Sequence, residues 1–102
     1  MNTLKQTAQF KKWLKSLKDS RAKAKIAQRI QRLKLGNAGD VKPVGGGISE
    51  LRVDYGPGYR VYYTQEGKVI YLVLNGGTKK TQEGDIREAK KIAKEARKQD
   101  DD

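Results

Sequence analysis

The chain has no cysteine and no histidine among its 102 residues. The first absence excludes disulfides, thiolate metal sites and cysteine nucleophiles. The second removes the commonest zinc ligand and the commonest acid–base group near neutral pH. Catalysis, if there is any, must run on Glu, Asp, Lys, Arg or Tyr. No stretch approaches the roughly 20 apolar residues a membrane helix needs. Met1–Phe10 has neither an apolar core nor a signal-peptide cleavage pattern. The cytoplasm is the expected compartment, with no membrane partner. Acidic groups are scarce at one end: residues 1–35 hold 11 basic groups and one acid, Asp19, whereas residues 36–102 hold 12 basic and 11 acidic groups. The overall charge of +11 predicts a polyanionic partner, either nucleic acid or an acidic protein.

Apolar residues make up 35% of the chain, and they cluster between glycine-rich breaks as in a folded domain. Phe10, Trp13, Leu14 and Leu17 recur at helical spacing, which predicts a helix over 4–17 with Thr3 as its cap. Asp19 and Ser20 offer a break and a new cap. Ile26, Ile30 and Leu33 then mark a second helix over 21–35, ended by Gly36 and Gly39. The short link predicts an antiparallel helical hairpin, and Phe10 and Trp13 read as core residues.

A short edge strand is expected at 41–44. Residues 48–55 alternate, with Leu51, Val53 and Tyr55 on one side and Glu50, Arg52 and Asp54 on the other. Gly56-Pro57-Gly58 makes a turn. Residues 59–64 alternate again, with Arg60 and Tyr62 opposite Tyr59, Val61 and Tyr63. Residues 69–74 are apolar on both faces, as in a central strand, and Asn75-Gly76-Gly77 should stop it. A last helix is expected at 83–98, followed by a frayed acidic tail at 99–102. The fold class that follows is α+β, one domain over 1–102. Two N-terminal helices pack on a mainly antiparallel sheet of three or four strands, with a C-terminal helix. The helices share one sheet face and leave the other for chemistry.

That other face gathers Glu50, Arg52, Arg60 and Tyr62, with Lys79 and Lys80 able to reach it from the end of the last strand. RNA hydrolysis needs such a set. Glu50 can take the proton of an attacking 2′-hydroxyl. Arg52 and Arg60 can hold the phosphoryl oxygens. Tyr62, Lys79 or Lys80 can assist the leaving oxygen, and an exposed Tyr62 can stack on a base. The same alternation equally describes a solvated face in which Glu50 pairs with Arg52. No ligand spacing gathers Asp40, Asp54 and Asp85, so no metal and no cofactor are expected.

The runs Gly45-Gly46-Gly47-Ile48-Ser49-Glu50-Leu51-Arg52 and Gly56-Pro57-Gly58-Tyr59-Arg60-Val61-Tyr62-Tyr63 resemble the RelE/ParE toxin superfamily. They look most like its HigB-like addiction-module killer group, as does Leu74-Asn75-Gly76-Gly77-Thr78-Lys79-Lys80-Thr81-Gln82-Glu83-Gly84-Asp85-Ile86. The likeness spans roughly residues 4 to 97. It implies a microbial-ribonuclease-like fold and metal-independent, ribosome-dependent cleavage of mRNA. It also implies a cognate antitoxin, often a helix-turn-helix protein of the HigA-like kind, with operator DNA bound only through the complex. Arg60 matches the superfamily's Gly-Tyr-Arg arginine, Arg52 the arginine of the preceding strand, and Lys79 and Lys80 the residues after the last strand. With the ribosome as partner, Lys23, Arg29, Arg32 and Lys42 join Lys79 and Lys80 as candidate RNA contacts. The chain departs from the superfamily in lacking the histidine with which several nuclease members end. Two alternatives stand: a ParE-like inhibitor of DNA gyrase with the same fold, and a non-catalytic nucleic-acid-binding module.

Overall fold

A computed structural model describes residues 3–67 and 70–100. The elements run β1 (Thr3–Gln6), α1 (Ala8–Ser16), α2 (Ser20–Lys34), β2 (Val41–Gly45), β3 (Ile48–Val53), β4 (Tyr59–Glu66), β5 (Ile70–Thr78), a 3-10 turn (Lys79–Thr81) and α3 (Gln82–Asp100). The fold is α+β, as expected, but the sheet has five strands, in the order β1-β5-β4-β3-β2.

The unexpected strand is β1. Thr3–Gln6 pairs in parallel with Ile70–Val73 of β5 and covers an edge that would otherwise expose unpaired backbone. The first helix therefore starts later than its apolar stripe suggested. Its cap is Thr7, not Thr3: the Thr7 hydroxyl accepts from Phe10 N at 3.0 Å and donates to the Leu74 carbonyl at 2.6 Å. The second helix begins as read, with the Asp19 carboxylate accepting from Arg21 N and Ala22 N. α1 lies on β5 and α2 on β3, and a groove floored by Leu14, Ala24 and Ala27 runs between them.

The sheet is covered on both faces, which corrects the one-sided packing expected above. Phe10, Ala22, Ile26, Ile30 and Leu33 press on Leu51, Val53, Tyr59, Val61, Tyr63, Tyr71 and Val73. On the opposite face Ala89 and Ala93 of α3 pack against Ile48, Tyr62 and Leu74. Small alanines let the helix approach closely. β5 also runs past the glycines meant to stop it. A bulge shifts its register from Tyr63↔Val73 to Tyr62↔Asn75, and the ladder continues through Gly76↔Val61 and Gly77↔Arg60. Val69, expected in this strand, and Asp101 and Asp102 of the acidic tail lie outside the described residues, while the α3 backbone continues through Asp100. No helix among the described residues is long and apolar enough to cross a membrane.

Candidate functional site

α3 covers only part of its face. Beyond its N-terminus the ends of β3 and β4 stay open, and the side chains there come from two cross-strand rows. Lys42, Glu50, Tyr62 and Asn75 are successive register partners in one row; Arg52, Arg60 and Gly77 form the next.

At the centre of the first row Glu50 is completely buried. Its Oε1 accepts from Arg52 Nε at 3.0 Å and faces Arg60 Nε at 3.7 Å. Its Oε2 accepts from Gln82 Nε2 at 2.7 Å and from the Tyr62 hydroxyl at 3.3 Å. Burial alone would raise the Glu50 pKa. Hydrogen bonds from Gln82, Arg52 and Tyr62 outweigh it and hold the carboxyl below its ordinary range. Tyr62 is also completely buried. Burial, followed by the neighbouring Glu50 charge, drives its pKa strongly upward.

These facts correct two expectations. Glu50 was read as a base within reach of substrate, but no atom of it is accessible and its oxygens already hold partners. Tyr62 was read as a platform for a base, but α3 lies over its ring. Both are buried, and neither lines an open cleft.

The two guanidiniums that share the Glu50 carboxylate open into a polar cleft of about 350 Å³. Arg52, Arg60, Lys79, Asp40 and Asp54 line it together with Gly56-Pro57-Gly58. The turn depends on Gly58. Its φ is +80°, and a β-carbon there would stand 3.4 Å from both Arg60 Nη1 and Lys79 Cβ. The Gly58 carbonyl accepts from Lys79 N at 2.7 Å, tying the turn to the end of β5. The Arg60 guanidinium is largely covered, with 12% of its side chain exposed. Its Nη1 donates to the Tyr59 carbonyl, while its buried Nε has no hydrogen-bond partner. Among the described residues, no three acidic, histidine or cysteine side chains are gathered as a metal site.

The sequence-derived candidates divide accordingly. Arg52, Arg60 and Lys79 meet in the cleft; Lys80 is exposed in the same 3-10 turn without lining it. Arg29 is half-buried and already engaged within the fold. Its Nη1 donates to the Arg52 carbonyl at 2.6 Å and its Nη2 to the Ala38 and Asp40 carbonyls, so it fastens α2 to the loop before β2. Lys23 lines the groove between α1 and α2, Arg32 is exposed on α2, and Lys42 is exposed beside Glu50 on β2. None of these four lines the cleft. Gln82 went unnoticed in the sequence, where a glutamine opening a helix carries no signal. Asp54 was visible on the polar side of its strand, and its approach to Asp40 depends on the fold of the 37–40 loop.

The family model described as phage derived protein Gp49-like matches residues 12–98. An uncharacterised protein of Haemophilus influenzae is 52% identical over 92 residues, which covers 90% of this chain and 93% of that protein.

Proposed function

The chain belongs to the phage-derived Gp49-like family, a toxin-like family related to the RelE and HigB addiction-module killers, and we propose that it is the toxin of a toxin–antitoxin pair that cuts messenger RNA on the ribosome. One observation supports this most: Arg52 and Arg60 stand opposite each other over a single buried carboxylate and open, with Lys79, into a polar cleft. Such a site is built to hold an anion whose charge grows during reaction.

In the proposed reaction the 2′-hydroxyl of a bound nucleotide attacks the adjacent phosphorus, and the bond to the 5′-oxygen breaks. Arg52 and Arg60 hold the equatorial oxygens. One of the cleft carboxylates, Asp40 or Asp54, accepts the 2′ proton in place of the buried Glu50. Lys79, the remaining cationic side chain of the cleft, stands by the departing oxygen and supplies its proton or neutralises its charge. A cognate antitoxin is the expected protein partner, acidic where it meets the basic surface, and a helix-turn-helix protein of the HigA-like kind is the form proposed. Operator DNA is then bound only by the pair.

The deciding experiment adds purified protein to a translating extract and maps new 5′ ends by primer extension. Cuts within translated codons are expected. Trapped gyrase–DNA complexes without cuts would replace this reading with the ParE-like one. Nucleic-acid binding with neither cleavage nor growth arrest would reduce the protein to a binding module.

A further inference from the structure

The support under the cleft extends beyond the sheet. Glu50 on β3 receives hydrogen bonds from three elements: Arg52 on β3 itself, Tyr62 on β4 and Gln82 at the start of α3. The bond from Gln82 is the shortest, at 2.7 Å, and shares Oε2 with the long 3.3 Å bond from Tyr62. The Oε1 atom is left to the two arginines. Two further charged groups lie close by: Lys42, the exposed register partner of Glu50 on β2, and Asp85 on α3, whose charge acts on Tyr62 and whose carboxylate accepts from the Thr81 hydroxyl.

An amide suits this position. It donates without adding a third cation to the arginine pair, and it adds no negative charge beside a buried carboxylate. The carboxylate's terminal torsion is soft. Without Gln82, Oε2 would be held only by the 3.3 Å bond from Tyr62, and Glu50 could turn and redistribute its oxygens between the two guanidiniums.

We infer that Gln82 is a positioning residue: from the first turn of α3 it pins Glu50 Oε2, so that Oε1 stays turned to Arg52 and Arg60 and both guanidiniums are held at the cleft. The arrangement of the anion site thus depends on how the helix across the sheet is seated. This rests on the cleft being the phosphoryl-binding site, but its test does not depend on cleavage.

The test compares the whole protein with Gln82→Ala and Gln82→Glu, each checked for folding by circular dichroism. The first readout is the ¹³C titration of the Glu50 carboxyl. Gln82→Ala should move its midpoint upward, because a hydrogen bond to the charged form is lost. The second readout is binding of inorganic phosphate, expected to weaken about tenfold. Gln82→Glu places two carboxyls together, so one should retain a proton above the usual range. That protonated group can donate as the amide did, so phosphate binding should return towards wild type as the pH falls. The third readout, single-turnover cleavage of ribosome-bound RNA, should slow about tenfold in Gln82→Ala with ribosome affinity unchanged. An unmoved Glu50 titration with unchanged phosphate affinity in folded Gln82→Ala would overturn the inference. So would a loss of cleavage that tracks melting temperature alone. A wild-type protein that cuts no RNA would defeat the functional reading, and the Glu50 titration and phosphate binding would still decide the role of Gln82.

Discussion

Arg52 and Arg60 are register partners across β3 and β4, and both reach one oxygen, Glu50 Oε1, from 3.0 and 3.7 Å. Like charges directly opposite each other on a sheet repel. The single carboxylate offsets only part of that repulsion. An anion bound as proposed would relieve more of it.

Arg60→Ala should therefore lower cleavage by about two orders of magnitude or more, as loss of a strong transition-state donor does. Glu50 keeps Arg52 as a partner, so the variant should stay folded. Arg52→Ala should cost less, because Arg52 is the more exposed of the two, at 33% against 12%. Single-turnover cleavage with dichroism on each variant measures both. Wild-type rates from folded Arg60→Ala would remove the cleft from the chemistry.

Asp54→Asn and Asp40→Asn separate the two carboxylates that line the cleft. The one that accepts the 2′ proton should lose about 100-fold or more when made an amide, with RNA binding kept or tightened as a negative charge disappears. The other should change little. Equal, small effects in both would mean that neither is the base.

Glu50→Gln is expected to act on stability first. It leaves two guanidiniums facing an uncharged amide, and breaking a buried ion pair by removing one partner costs about 3 kcal/mol. The partial exposure of Arg52 puts the cost at the low end of the usual range. Urea unfolding should show the midpoint falling with the slope unchanged. Stability equal to wild type would mean that the arginines do not need this carboxylate.

The pH dependence has a definite sign. Glu50 has a folded-state pKa below its ordinary value of 4.5, so its ionised form stabilises the fold above that value. The contribution disappears as the pH falls through the folded pKa. Melting temperature should be level from neutral pH down to about 5 and then fall. Glu50→Gln should show a shallower acid limb, and identical limbs would place the acid sensitivity elsewhere.

Gly76 and Gly77 face opposite helices. A β-carbon at Gly76 would collide with the Trp13 ring, and one at Gly77 with the Asp85 carboxylate. Gly76→Ala should destabilise by about 2 kcal/mol through overpacking. Gly77→Ala should instead displace Asp85 and disturb the start of α3, so it should weaken phosphate binding as Gln82→Ala does. Thermal melts and phosphate titration distinguish the two effects.

Helical periodicity located α1 and α2 because their apolar stripes are local. β1 was hidden: Thr3–Gln6 carries one apolar residue, and its pairing lies far along the chain. The burial of Tyr62 had a signal, since the strand Tyr71–Leu74 is apolar on both faces and so needs cover on both. That implied a helix over Tyr62, and only Ala89 and Ala93 mark which one. The arginines were legible from alternation. Arg29 and Gln82 were not, because their partners are backbone carbonyls and a carboxylate brought near by folding alone.

The Thr7 hydroxyl reaches the carbonyl of Leu74, 67 residues away in sequence. Closing a flexible loop of that size costs about 4 kcal/mol, and the bond that repays part of it exists only when β5 is in place. Until β5 has been made, β1 has no strand to join and the cap of α1 has no acceptor on the sheet. The cleft has the same timetable, because Arg52 can precede Arg60 off the ribosome but Lys79 and Gln82 must follow both. A nascent chain therefore carries the basic helices before Lys79 and Gln82 exist to complete the cleft.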